Sequence, residues 1–528
     1  MKKVSCFVWA AAGIFFSIPT QAQQFKKSEM ETLLGKPQQD LFVNNNQQRI
    51  VVSYPYIQED KGGVIVSAFD KQLSQAYSTE IKSFSDESYL GSIYSGSGLF
   101  LFGKTRAGEV MCTSVNDKSG TENGTQTSLF SLQDPADVEK ILNGSSIDSS
   151  HFYLFRRYEV KGDKGLGLQG VVMDKQMKVV SSFRYITPEK RADVKEVQAV
   201  LTNDGKLNIF YNAVQSSKAE PYAPLLYTVV KIAQKSVTAN AVNGLPEGDI
   251  RNVNWQDHNG MLTFTAFLSR KRKAGFTAVL SGQYNPQLNK VTNLKETELN
   301  QLLDKDAASS VYLKSISEKG LSSSVARDMS VVCRDGSTFI TYEINSSSDY
   351  QSHYAQLTPA AGGNGAFPNS SFTMTYNHAG DVFILKLDAN KQPLWLRAIR
   401  KDQTERDVNS YLGTCYAVDD LSRIHVFFYD VEKHSEVAPD TRILEVNASA
   451  IKSLSMACVS VDKDGKMKKT FLYKADESDF HLSPVRSKLI RNNELVYIAL
   501  NKGGGTAFTA RQLYANKKYH LGVISIRP

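Results

Sequence analysis

Five cysteines in 528 residues are too few for a disulfide-stapled scaffold, and none stands in a C-x-x-C pair of the kind that holds zinc or exchanges thiols. The eight histidines are scattered, with no H-E-x-x-H and no two at ligand spacing, so no metal site is expected. No serine sits in a G-x-S-x-G elbow, and Gly503, Gly504 and Gly505 precede no P-loop lysine; local signatures of serine hydrolysis and nucleotide binding are missing. An excess of one charge is lacking too: 62 basic residues against 54 acidic ones give +8, well mixed along the chain, which argues against a nucleic-acid partner. Beyond the first residues no apolar run is long enough to span a bilayer. No cofactor, no metal and no catalytic residue can be named from such a text.

What is present begins with an address. Lys2 and Lys3, an apolar stretch over residues 4–18, Pro19 and then Thr20-Gln21-Ala22 form a secretory signal peptide, residues 1–22, with cleavage expected after Ala22. The stretch falls short of the roughly 20 apolar residues of a membrane anchor, and Cys6 lies too early for a lipid-anchoring cysteine. A periplasmic or secreted protein follows, with no transmembrane segment in the mature chain. Residues 23–39 make an N-terminal segment, in which Ser28 and Glu31 form a capping box before Leu33 and Leu34, and Gly35 and Pro37 stop the run. One short helix is expected there.

Residues 40–528 read as strands rich in Val, Ile, Phe and Tyr, interrupted by Asn, Asp, Gly and Ser. The clearest phrase is G-D-V-F-I-L-K-L-D-A-N-K-Q-P-L-W-L-R-A-I over residues 380–399, an outer hairpin of one repeated sheet. Echoes stand at 64–81, 171–185, 277–292 and 458–472, two of them sharing D-K-Q plus an apolar residue, at 70–73 and 174–177. Inner-hairpin turns fall at 45–48, 95–98, 148–150, 203–205, 257–260, 334–336, 419–422 and 491–494. That makes about eight units, the first five spaced by roughly fifty residues, in the range of propeller blades. S-Y-L-G-S-I-Y at 88–94 returns as S-Y-L-G-T-C-Y at 410–416, each before a polar turn and an apolar strand.

Repeated four-stranded sheets must cover two apolar faces each and leave no open edge, and radial closure does both. The fold class is therefore all-β, a single β-propeller of about eight four-stranded blades, with seven as the alternative if the terminal units merge. The last unit is one strand short, so an N-terminal segment should complete it and close the ring. An oxidising compartment permits disulfides among Cys112, Cys333, Cys415 and Cys458. The repeat puts Cys415 and Cys458 on the first and third strands of one unit, roughly 9 to 10 Å apart and beyond the reach of about 7 Å for a bridge. Buried thiols are expected.

At this point the chain resembles the bacterial β-propeller repeat families, and residues 386–397, with L-D-A-N and then L-W, look like a repeat of the PQQ-like propellers. The resemblance implies a fold and no activity. The quinone enzymes of this fold carry a vicinal cysteine pair and more tryptophan repeats, and this chain has neither.

Function is sought where extra length accumulates. Insertions at 345–379, 431–454 and 501–518 fall between the second and third strands of blades six, seven and eight, and 293–326 links blade five to six, with a short helix expected at 296–303. Strand order places all of these on one face of the ring, where long connections serve either as a ligand wall or as decoration. Within them Tyr350, His353 and Tyr354 form one aromatic group and Phe508, Arg511 and Tyr514 another; such residues suit binding hot spots and equally pin their own loops. Trp255 lies on an innermost strand, where its ring either faces the channel and stacks on a sugar or packs against the next blade. D-K-D-G at 462–465 starts like a calcium loop but lacks the later acidic ligands, so a hairpin turn explains it.

Two readings follow. One is a non-enzymatic cell-envelope binding or scaffold protein whose insertion face holds a protein or glycan partner. The alternative is a propeller-type enzyme acting on a polysaccharide or peptide in the central funnel, its carboxylates supplied by separate blades.

Overall fold

Strands such as Gly98–Lys104 and Ile424–Asp430 are buried along nearly their whole length, and a strand covered on both faces must lie between two other sheets. The computed structural model shows how that is met. It describes residues 24–26 and 38–526, apart from 55–62, 215–224, 354–370, 435–444, 474–479, 502–518 and a number of shorter stretches.

Eight antiparallel sheets follow one another around a ring, the first seven each with four core strands in sequence order. The first strands of successive sheets lie against one another, for example Val194–Leu201 on Asp249–His258 and Asp249–His258 on Val325–Val332, so they line the axis. Apolar clusters fill the wedges between blades. Ile50, Val52 and Val66 of blade one meet Leu99 and Leu101 of blade two. The pattern continues to Phe339 and Ile384 of blade six against Val426 and Phe428 of blade seven. One larger cluster joins Tyr429 and Met456 of blade seven, Leu495 and Ile498 of blade eight, and Val51 and Phe69 of blade one, which closes the circle.

The eighth sheet is completed from the other end of the chain. Its own strands are Glu494–Asn501 and Tyr519–Ser525, with an inner strand broken into Phe480–Leu482 and Lys488–Ile490. Gln24–Lys26 pairs antiparallel with Tyr519–Ser525, Gln24 opposite Ser525 and Lys26 opposite Val523, and supplies the missing outer strand.

The repeated D-K-Q words are turns. Asp70 Oδ1 accepts the backbone N–H of Gln72 and Ser74, Asp174 Oδ1 those of Gln176 and Lys178. The following apolar residues, Leu73 and Met177, take φ of 66° and 59° and bury their side chains. Asp388 and Asp462 begin the same turn with Lys391 and Gly465 in the left-handed position. The latter is the calcium-like D-K-D-G, here a hairpin turn. Its Lys463 carbonyl accepts the indole N–H of Trp395 at 3.0 Å and its Gly465 carbonyl the Nε–H of Arg397 at 2.9 Å, so the tryptophan of blade six fastens blade seven.

Cys112, Cys333, Cys415 and Cys458 are buried and form no disulfide. Cys415 and Cys458 both stand opposite Phe427, one on each side of its strand, the separation that the repeat demands.

Two expectations need correction. The linker between blades five and six holds a shorter helix than expected, Leu299–Leu302, because the outer strand Lys290–Glu298 runs on to its edge. A second helix, Val311–Lys319, went unread; Leu299, Leu302 and Ile316 pack on the apolar wedge between the two blades. The helix expected near Ser28 lies outside the described residues.

Candidate functional site

The described residues of the blade-six insertion are strand. Thr338–His353 and Ser371–Leu387 continue past the blade as a two-stranded arm, held by nine further pairs from Asn345–Ala379 to His353–Ser371. At about 3.4 Å per residue the arm is roughly 30 Å long. Its base is widened by Gln403–Arg406, which pairs with residues 376–379, and by Val446–Asn447 from the insertion of blade seven, which pairs in parallel with Gln403 and Thr404. The insertions of blades six and seven thus share one sheet.

A buried polar cluster roots this sheet in the ring. Lys401 Nζ donates to Glu343 and, at 3.1 Å, to Gln403 Oε1. The Gln403 amide donates to the Tyr429 carbonyl at 2.7 Å, and its oxygen also accepts the Gly413 N–H. Glu405 Oε2 accepts the N–H groups of Tyr411 and Leu412, both within the sequence that repeats blade two. Burial lowers the Lys401 pKa while Glu343 opposes the shift. A buried pair of this kind adds little net stability but is costly to break on one side, so it fixes where the arm leaves the blade.

Asp328 lies beside this cluster on the innermost strand of blade six. Its pKa is pushed up to about 6, first by desolvation and then by the Glu343 charge, against hydrogen bonds from Tyr416 and Thr414. The residue, on an axial strand, keeps exposed surface although protein surrounds it. Asp328 is the extra residue of a β-bulge between Arg327 and Met329. The first strands of blades two to five carry bulges at the same end, between Tyr89 and Gly91, Val138 and Lys140, Val194 and Glu196, and Arg251 and Asn254. Bulges re-aim side chains and gather beside sites. Here they ring the channel mouth on the insertion face, a feature of register that no single stretch of sequence displays.

A Ser-His-Asp chain is present at the opposite end of blade seven. His425 Nδ1 lies 2.8 Å from Ser460 Oγ and its Nε2 3.2 Å from Asp419 Oδ2. The geometry is structural. His425 is buried, and Ser460 is its direct cross-strand partner within the paired ladder, so the chain ties two neighbouring strands to the inner turn at Asp419. Among the described residues no group of His, Cys, Asp and Glu is disposed to hold a metal ion.

Of the residues singled out from the sequence, Tyr350 stands on the arm opposite Met374, and His353 opposite Ser371. Tyr354, Phe508, Arg511 and Tyr514 lie outside the described residues. Trp255 is buried between blades four and five, its ring stacked on Phe210 at 3.9 Å with planes 7° apart and edge-on to Tyr284. It is a packing residue, and the neighbouring amides that sequence reading missed are the buried Asn254 and the half-buried Gln256.

The sequence matches no described protein family and no curated protein. Similar folds occur among solved structures. The WD40 domain of SCAP from fission yeast aligns at a TM-score of 0.42 and 7% identity, over 96% of this chain and 98% of that one. A polysaccharide lyase aligns at 0.36 and 9%, over 83% and 90%. A post-proline cleaving enzyme from Rickettsia typhi aligns at 0.38 and 8%, over 88% of this chain; the chain spans 57% of that enzyme's length. These likenesses are of architecture alone. No described helix is long and apolar enough to cross a membrane.

Proposed function

We propose that this is a non-enzymatic binding or scaffold protein of the cell envelope, whose propeller is a rigid mount and whose insertion face holds a protein or glycan partner. The observation that carries the reading is the shared sheet of the blade-six arm and the blade-seven insertion, rooted by the Lys401–Glu343 cluster. A segment that merely decorates a surface has no need of a buried ion pair at its base. Tyr350 and His353 on the arm, with Tyr354, Phe508, Arg511 and Tyr514 of the blade-six and blade-eight insertion sequences, are proposed contact residues. We assign residues 1–22 to a signal peptide cleaved after Ala22, 23–39 to the closing segment and 40–528 to the propeller, in a periplasmic or secreted protein. Kinship with the PQQ-like repeat propellers is supported by the single L-W unit, whose Trp395 binds the next blade.

The funnel-enzyme reading wants two carboxylates facing one space. Asp328 and Glu343 do come close enough to interact, but Glu343 is buried and held by Lys401, so one acid of the two is already engaged. Binding is the better reading.

The test is a pull-down from envelope extract with the parent protein and with a variant in which residues 349–375 are replaced by a two-residue turn. The variant should fold, since loop length alters closure entropy by only about 0.6 kcal/mol per doubling, and should lose the partner. A variant that melts like the parent and retains every partner would make the arm decoration.

A further inference from the structure

The channel mouth holds a cation with an open edge. Arg327 lies on the innermost strand of blade six, next to the bulged Asp328, and is exposed. Its Nη1 donates to Asn254 Oδ1 of blade five at 2.5 Å and to Gln198 Oε1 of blade four at 3.4 Å. All three residues are on axial strands, so the guanidinium lies across the channel wall.

The two amides are themselves oriented. Gln198 Nε2 donates to the Val253 carbonyl, and Asn254 Nδ2 and Gln256 Nε2 both donate to Ser330 Oγ. With each NH₂ group so engaged, the amide oxygens are turned to Arg327 and lock its plane. Both N–H groups of Nη1 are used, while the Nε and Nη2 edge meets no acceptor among the described residues. Asp328 hydrogen-bonds toward Tyr416 and Thr414 of blade seven, on the other side, and no described carboxylate forms an ion pair with Arg327. A guanidinium held flat with its side-on edge free is pre-organised for two parallel bonds to a planar anion. Around it stand amides and a hydroxyl, which suit the hydroxyls of a sugar.

We infer that this wall of blades four to six is a binding site for an acidic sugar chain, with Arg327 receiving a uronate carboxylate, the half-buried Gln198, Gln256 and Ser330 beside its hydroxyls, and the buried Asn254 holding the arginine from behind. The site is separate from the arm and stands if the arm proves to be decoration.

Titration calorimetry with tetragalacturonate, a neutral galactose tetramer and an acidic peptide tests it on the full mature chain. The parent should bind the uronate and neither of the others, and the affinity should fall with salt. Arg327→Ala and Arg327→Gln should each weaken binding by about 10-fold or more, and Arg327→Lys should restore only part, because an ammonium cannot offer the side-on pair. The variant lacking residues 349–375 should bind like the parent. A parent that ignores tetragalacturonate, an Arg327→Gln variant that melts normally and binds it fully, or a preference for the acidic peptide would each overturn the assignment.

Discussion

Asp419 shows what one carboxylate does in an inner turn. Burial alone would raise its pKa, but His425, the Arg423 N–H and the Arg423 guanidinium outweigh burial and hold it at about 2. The folded value lies below that of an unfolded chain, so the contribution is complete above about pH 4 and is lost as pH falls toward 2. Asp419→Ala should cost about 2 kcal/mol at neutral pH. In urea titrations the midpoints of parent and variant should converge as pH approaches 2. Asp328 has the opposite sign. Its raised folded pKa gives stability that is present below about pH 4 and lost as pH rises through 6, so Asp328→Asn should flatten stability between those values. A third residue test concerns close approach. Gly522 stands opposite Tyr497, and a Cβ there would meet the ring at 2.1 Å. Gly522→Ala should cost about 3 kcal/mol by overpacking, read as a lowered melting temperature.

At the scale of elements, the depth of a cut in the arm matters. Removing residues 345–379 would take away the strand that pairs with Gln403–Arg406, and with it the support of Val446–Asn447. That deeper deletion should melt lower than the 349–375 cut, and equal melting temperatures would show that the base of the arm contributes nothing. The sequence announced the inner turns and outer hairpins because each uses a side chain to fix the backbone, as Asp70 and Asp174 do. It also announced where length was added. It did not announce that the described part of the blade-six insertion is strand: the stretch N-S-S-S-D-Y-Q-S-H at 345–353 has little apolar alternation, and its pairing with 371–379 is a tertiary choice. Arg327 was equally silent. An arginine among ordinary residues becomes a candidate only when Gln198 and Asn254, far away in sequence, bring their oxygens to it. Trp255, by contrast, drew the eye because tryptophan is rare, and the commoner fate of a large ring, core packing, prevailed.

For the whole molecule, the pairing of Gln24–Lys26 with Tyr519–Ser525 joins the first described strand to the last. Deleting residues up to Lys26 should leave eight blades but bare the edge of the last, with a lower melting temperature and concentration-dependent association seen in sedimentation. The feature also sets an order in time. Blades one to seven can each form from local contacts as the chain emerges, whereas the clasp must wait for residues near 523. Until then the first strand has no partner and the ring is an open arc with a raw edge at either end. The vulnerable interval of this protein's life is therefore the one before residues near 523 arrive, when a second unfinished copy offers the same strand to the same edge and the two exchange clasps.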